Sequence, residues 1–97
     1  MSQNLTIIAR IESKKENIEL VKKEVLKLVE PTRKEEGCIQ YDLHQDNENS
    51  EVFIFTEIWE NQELWQVHIE NTPLQNFIKV TDGLLVDLTV NQMTKIS

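Results

Sequence analysis

The sequence has few of the residues that build linkers and disulfide frameworks. Two glycines and two prolines among 97 residues leave no flexible linker or low-complexity tail, so we expect a single domain spanning residues 1–97. The single cysteine, Cys38, cannot form an internal disulfide, which fits the reducing cytoplasm. A small core thiol is the favoured interpretation of Cys38, because neither histidine is adjacent to it in the sequence.

Basic residues and long apolar runs are also scarce. Ten Lys and Arg against 17 Asp and Glu give a net charge of −7 without a basic cluster, which argues against nucleic-acid partners and anionic membrane surfaces. No segment approaches the roughly 18 apolar residues of a membrane span. The start, MSQNLTIIARIES, lacks the basic region of a signal peptide. These absences leave a soluble globular domain as the expectation.

Hydrophobic periodicity predicts both strands and helices. Apolar residues alternate in four predicted strands, residues 4–12, 38–45, 51–60 and 84–93. Helical spacing covers residues 15–30, with Ser13 and Glu16 as a capping box, Pro31 as a break and Gly37 as the stop. Asn61 begins a short helix to about Glu70, and Thr72 with Pro73 begins another that ends near Gly83.

The order β-α-β-β-α-α-β predicts an α+β, ferredoxin-like βαββαβ fold with one extra short helix. In this four-stranded antiparallel sheet the first and third strands are central. The third strand is apolar on both faces, with Val52, Ile54 and Ile58 on one and Phe53, Phe55 and Trp59 on the other. Because right-handed crossovers place the helices on one side of the sheet, a second copy of the chain is expected to cover the other side. The sequence therefore predicts a homodimer packed sheet to sheet.

His68 falls within the apolar arc of the short helix that follows the third strand, so it should point at the sheet. A histidine there is either a core residue bonded to a backbone carbonyl or to Glu57, or an acid–base group in a pocket between helices and sheet. Glu57 shares a strand face with Phe55 and Trp59, where a carboxyl needs a partner or a function. The pattern does not decide which face of that strand meets the helices.

Asp42, His44 and Asp46 share one face of the second predicted strand, at a spacing that could bind a divalent metal. The strand is a predicted edge that leads into a polar turn, where solvated charges are expected. A solvated face is therefore the favoured interpretation, and no metal site is predicted.

Several of these residues together resemble the antibiotic biosynthesis monooxygenase (ABM) family, and more narrowly its small quinol-monooxygenase-like members. The matching positions extend over most of the chain: Gly37, Tyr41, Phe55, Glu57, Trp59, Glu63, Leu64, His68, Thr72, Pro73 and Phe77. The segment EPTRKEEGCIQYDL is similar to the family's connection between first helix and second strand. The glutamate–tryptophan–histidine spacing is the most specific part.

The resemblance implies a dimeric α+β barrel with a pocket between sheet and helices in each subunit. It also implies a monooxygenase that oxidises a small quinol-like or phenolic aromatic with O₂ and uses no metal, haem or flavin, because an electron-rich phenolate can itself donate an electron to oxygen. Candidate catalytic residues are then His68 and Glu57. Candidate substrate-binding residues are Asn4, Tyr41, Phe53, Phe55, Trp59, Trp65 and Phe77.

Other branches of the family imply other activities. In a haem-degrading branch Asn4 could match the asparagine, but His68 occupies the approximate position of a tryptophan and Ile78 that of the iron-binding histidine, which argues against haem. An isomerase branch acts on a phosphorylated carbonyl compound and needs cations, for which Arg10, Arg33 and Lys79 are available. The isomerase and a non-catalytic small-ligand-binding protein remain alternatives.

Overall fold

The structure is a computed structural model that describes residues 4–97. A 3₁₀ turn at Lys15–Asn17 precedes the first α-helix. In chain order the elements are β1 (Leu5–Ser13), α1 (Ile18–Lys27), α2 (Val29–Arg33), β2 (Cys38–Gln45), β3 (Val52–Trp59), α3 (Gln62–Glu70), α4 (Thr72–Val80) and β4 (Leu85–Met93). No helix within residues 4–97 is both long and apolar enough to cross a membrane.

The four strands form one antiparallel sheet in the order β2-β3-β1-β4. The central strands are β1 and β3, and the predicted α+β, ferredoxin-like fold is confirmed. The core forms where α1, α3 and α4 pack on one face of the sheet. On that face Ala9 of β1 pairs with Phe55 of β3 on one side and with Val90 of β4 on the other.

The third strand presents its aromatic face to the helices. Phe53, Phe55, Glu57 and Trp59 are all buried there, whereas Ile54 and Ile58 point to the opposite face and are half-buried. Strand alternation had left this choice open, because both faces of β3 are apolar. Helix packing decides it, and Glu57 is thereby placed on the inside of the domain.

Of the helix-end signals in the sequence, those at Asn61 and Pro31 are confirmed and the one at Ser13 is not. The Asn61 side chain accepts a hydrogen bond from the Leu64 N–H and begins α3. α1 ends at Lys27 because Pro31 has no N–H to donate to the Lys27 carbonyl, and α2 follows from Val29. The capping box at Ser13 was wrong. Ser13 is the last residue of β1, and its hydroxyl donates to the Lys14 carbonyl.

Gly37, just before β2, is in the left-handed region with a φ of 86°. A Cβ there would lie 2.5 Å from Leu64 Cδ1 and 2.7 Å from Leu64 Cβ. We expect Gly37→Ala to lower the free energy of unfolding by about 2 kcal/mol or more, because left-handed strain and this overlap add. Urea unfolding measures the loss.

Gly83 provides a matched control for that substitution. Its φ is 82°, but nothing lies within 4 Å of the Cβ position, so Gly83→Ala adds strain alone. Its expected cost is about 1 kcal/mol. Equal losses in the two variants would show that Leu64 moves away freely and that close packing does not explain Gly37.

Candidate active site

A cavity of about 150 Å³ lies between the sheet and helices α3 and α4. Its walls come from all four strands, from α3 and α4, and from Leu28 between α1 and α2. Almost all of this surface is apolar. Tyr41, Glu57 and His68 are the titratable groups that line it within residues 4–97. The cavity therefore combines an apolar interior with a few groups that can exchange protons.

His68 projects from α3 into this cavity and is only 2% exposed. Its Nδ1 lies 2.9 Å from Oε1 of Glu35, in the connection between α2 and β2. The ring also stacks at a tilt on Trp59, with centroids 4.8 Å apart, and meets the Tyr41 ring edge-on at 5.8 Å. His68 points at the sheet as predicted, but its partner is Glu35 and not Glu57 or a backbone carbonyl.

The contact with Glu35 defines what each ring nitrogen of His68 can do. When Nδ1 donates its hydrogen to the Glu35 carboxylate, Nε2 of the neutral ring is an acceptor. Within residues 4–97 Nε2 makes no hydrogen bond, so it is available to a molecule in the cavity. Burial lowers the pKa of His68, and the hydrogen bond and charge of Glu35 oppose that effect only in part. The lowered pKa favours the neutral ring, whose Nε2 can accept a proton.

Glu57 is the second proton-exchanging group. It is buried, and its Oε1 accepts a hydrogen bond of 2.9 Å from the Trp59 indole. Burial raises the pKa of Glu57 to about 7; the Trp59 hydrogen bond lowers it, and the charge of Glu35 adds a smaller rise. Near neutral pH this carboxyl exists in both protonation states.

The raised pKa of Glu57 predicts a pH-dependent stability. Between about pH 4.5 and 7 the folded protein holds the Glu57 proton more tightly than the unfolded chain, so this group's contribution to stability falls as the pH rises. We expect Glu57→Gln to remove that loss, since glutamine can still accept the Trp59 hydrogen bond. Relative to the wild type, the variant should gain about 2 to 3 kcal/mol across this interval. Urea unfolding at several pH values tests this, and parallel curves for the two proteins would contradict it.

The structure brings most of the sequence-predicted site residues together. Those that line the cavity are Tyr41, Phe55, Glu57, Trp65, His68 and Phe77. Trp59 is fully buried behind this wall, where it supports His68 and Glu57. Phe53 is a core residue near the start of β3 and does not line the cavity.

Asn4, also predicted to bind substrate, does not line this cavity and is not brought together with the other predicted residues. It is exposed beside a separate depression formed with Thr6, Ile58 and Lys95. Thr6 and Ile58 are cross-strand partners on the sheet face that points away from the helices. The whole thickness of the sheet therefore separates this depression from His68.

The Glu35 carboxylate is the main group that sequence reasoning missed. It lies 33 residues before His68, outside any strand or helix, in the charged segment KEEG. No periodicity marks such a position. An unpaired buried histidine could have prompted a search for an acid, but not for this one.

The residues of β2 whose spacing could bind a metal, Asp42, His44 and Asp46, do not form a metal site, and both aspartates have other partners. Asp46 accepts hydrogen bonds from the N–H groups of Glu48 and Asn49 and so stabilises the turn after the strand. Asp42 contacts Arg33. Among residues 4–97 no group of three or more His, Cys, Asp or Glu side chains is arranged to hold a metal ion.

The candidate cations lie away from the cavity. Arg10 pairs with Glu12 and Asp87 on the far face of the sheet. Arg33 donates to the Tyr41 carbonyl and pairs with Asp42. Lys79 is exposed, and within residues 4–97 no Lys or Arg lines the cavity. The site therefore has no side-chain cation for a phosphate group.

Comparison with known proteins supports the resemblance drawn from these residues. The sequence model of the family described as "Antibiotic biosynthesis monooxygenase" matches residues 4–80. The chain belongs to this family. PA3566 from Pseudomonas aeruginosa, a solved structure, is 33% identical with a TM-score of 0.95, and the match covers 100% of this chain and 98% of that one. Another structure, described as an antibiotic biosynthesis monooxygenase, is 29% identical with a TM-score of 0.90, and the match covers 96% of this chain and 99% of that one.

Two relatives found by sequence are described as uncharacterized proteins. Synechocystis sll1783 is 32% identical over 59% of this chain and 39% of its own length. Bacillus subtilis YjcS is 38% identical over 66% of this chain and 60% of its own length. The match thus spans less than two thirds of either relative. ABM membership supports a monooxygenase-like function, and the substrate has to be argued from the cavity.

Proposed function

We propose that this ABM protein is a cofactor-independent monooxygenase that oxidises a small phenol or quinol with O₂. The observation that carries the proposal is the contact between the half-buried Glu35 and the buried His68, which lines the wall of an apolar cavity. A neutral imidazole with a carboxylate behind it is a general base for a hydroxyl proton. The aromatic walls suit an aromatic substrate.

The reaction begins with deprotonation of the bound phenol. His68 Nε2 accepts the hydroxyl proton, and Glu35 stabilises the resulting imidazolium through Nδ1. Tyr41 also lines the cavity, and burial above all raises the pKa of its hydroxyl far above the usual range, so it stays protonated. Catalysis thus consists of forming and stabilising the anion in a site that excludes water.

The phenolate itself supplies the electrons for oxygen. One electron passes to O₂, and the resulting aryloxyl radical and superoxide combine through a new carbon–oxygen bond. The imidazolium protonates the resulting peroxide anion to a hydroperoxide. Its O–O bond then breaks as the ring hydrogen leaves as a proton, and the departing hydroxide combines with that proton to form water. In total a phenol with a free ring position and O₂ give a quinone and water.

Oxygen uptake by purified, metal-free protein tests this function. A panel of phenols and quinols should yield products with one more oxygen atom and two fewer hydrogen atoms. With labelled oxygen gas, the added atom should carry the label. Substrates recovered unchanged across the panel, although they bind, would contradict the monooxygenase and favour a ligand carrier. The isomerase alternative gains no support from a cavity that no Lys or Arg of residues 4–97 lines.

We further propose that the protein acts as a homodimer in a reducing compartment such as the cytoplasm. The sheet face that points away from the helices carries half-buried Ile8, Ile54 and Ile58, and the edge strand β4 exposes Val86 and Met93. A second copy packed on this side would cover those side chains. Light scattering should then give twice the mass of the chain at micromolar concentration, and the mass of a single chain would contradict the dimer.

A further inference from the structure

The room in the cavity arises at one position of the central strand β1. On the face toward the helices, β1 presents Ile7, Ala9 and Ile11, and all three line the cavity. Alanine is disfavoured in strands, where β-branched and aromatic side chains pack better. Ala9 pairs with Phe55 on one side and Val90 on the other, so a small side chain lies between larger ones. The space that a larger residue would fill is part of the cavity.

The size of that space limits what the closed part of the cavity can hold. A cavity of about 150 Å³ is comparable to one that accepts a single benzene ring. A fused system of three rings does not fit in that volume. The wall is incomplete on one side, where Ile78, Leu88 and Val90 are 46%, 45% and 46% exposed. A substituent on the ring can leave the cavity over these apolar side chains.

We propose that Ala9 sets the depth of the cavity and that the ligand is a single-ring phenol or quinol whose apolar substituent extends over Leu88 and Val90. This substrate class rests on the proposed function, whereas the size limit concerns binding alone. Ala9 affects which ligands fit because its side chain is small, and it takes no part in the transfer of protons or electrons. It is a specificity-determining residue.

Binding under argon tests the size limit without any turnover. NMR titrations with phenol, naphthol and anthrol should show affinity falling as rings are added, and anthrol should bind roughly tenfold or more weakly than phenol. Butylphenol should bind more tightly than phenol, and Leu88→Ser should weaken the binding of butylphenol more than that of phenol. Affinity that rises steadily from phenol to anthrol would overturn the proposal.

Substitution of Ala9 tests the residue itself. Ala9→Leu places three further carbon atoms in the space, so phenol affinity should fall roughly tenfold or more while the Tm rises from cavity filling. Ala9→Val should lower phenol affinity by a smaller factor. It replaces the leucine variant in this test if the larger side chain overpacks the core and prevents folding. Unchanged phenol affinity in a folded variant would show that Ala9 does not border the ligand.

The two proposals fail in distinguishable ways. If no phenol is oxidised but the size order and the Ala9 effects hold, the oxidation is wrong and the size limit stands. If fused three-ring phenols are both bound and oxidised, the monooxygenase stands and the size limit is wrong.

Discussion

Turnover should fall by roughly two to four orders of magnitude in kcat when His68 is replaced by alanine. The reason is that His68 is the proposed base of the cavity: it is buried, burial lowers its pKa and so favours the neutral ring, and Nδ1 contacts Glu35. Without it the phenol keeps its proton, and a neutral phenol is a much poorer electron donor than its anion. Steady-state oxygen uptake at saturating substrate measures the effect.

The second histidine of the chain supplies the matched control. His44 is exposed on the edge strand β2, away from the cavity, so His44→Ala should leave kcat unchanged. His68→Gln keeps a hydrogen-bond donor for Glu35 and fills more of the space than alanine. A loss of turnover in this variant is therefore not caused by a packing defect. Loss of turnover with ligand affinity retained identifies a base. Loss of both, together with a lowered Tm, would mean that His68 is structural.

Replacing Glu35 by glutamine should lower kcat roughly tenfold to a hundredfold. The carboxylate stabilises the imidazolium that forms when His68 takes the substrate proton, and a hydrogen bond between charged groups contributes about 1.5 to 3 kcal/mol. A glutamine keeps the contact but not the charge. Glu35 does not line the cavity, so it is a positioning residue and substrate affinity should change little.

The pH dependence distinguishes this role from a purely structural one. Glu35 opposes the lowering of the His68 pKa by burial, so its removal should lower that pKa further. The acidic limb of kcat/KM should then move to lower pH. Because Glu57, with a pKa raised to about 7, can also affect the pH dependence of kcat/KM, NMR of the His68 ring protons is the direct measurement. Glu36 is the exposed neighbour of Glu35 in the chain, so Glu36→Gln should change neither the acidic limb of kcat/KM nor the His68 titration. An unmoved His68 titration in Glu35→Gln would refute the pairing.

Local sequence signals predicted the elements of this fold well. Alternation along β3 and helical spacing in α1 and α3 reflect periods that the backbone itself imposes, so they appear in any short stretch. The break before Pro31 and the start at Asn61 follow from single residues with a defined hydrogen-bonding role. The capping box at Ser13 failed because β1 continues to that residue, and strand pairing prevailed over a local motif.

The candidate site was predictable where several signals coincide. His68 lies within an apolar helical arc, and Glu57 lies on an aromatic strand face, so both are unusual for their surroundings. The family resemblance added Tyr41 and Phe77, which line the cavity. Asn4 was assigned only through that resemblance, and strand alternation around it directs the neighbouring Thr6 to the other face of the sheet.

The sequence by itself determined the strands and helices, their order, and the inward direction of His68, because these depend on residues within a few positions of one another. Only the tertiary structure decided that the aromatic face of β3 meets the helices, that Glu35 is the partner of His68, and that a cavity the size of one ring lies beside Ala9. Each of these depends on residues that are distant in the chain and meet through packing. No local sequence pattern predicts such contacts, because the residues that lie between the two partners in the chain do not show which distant residues will meet.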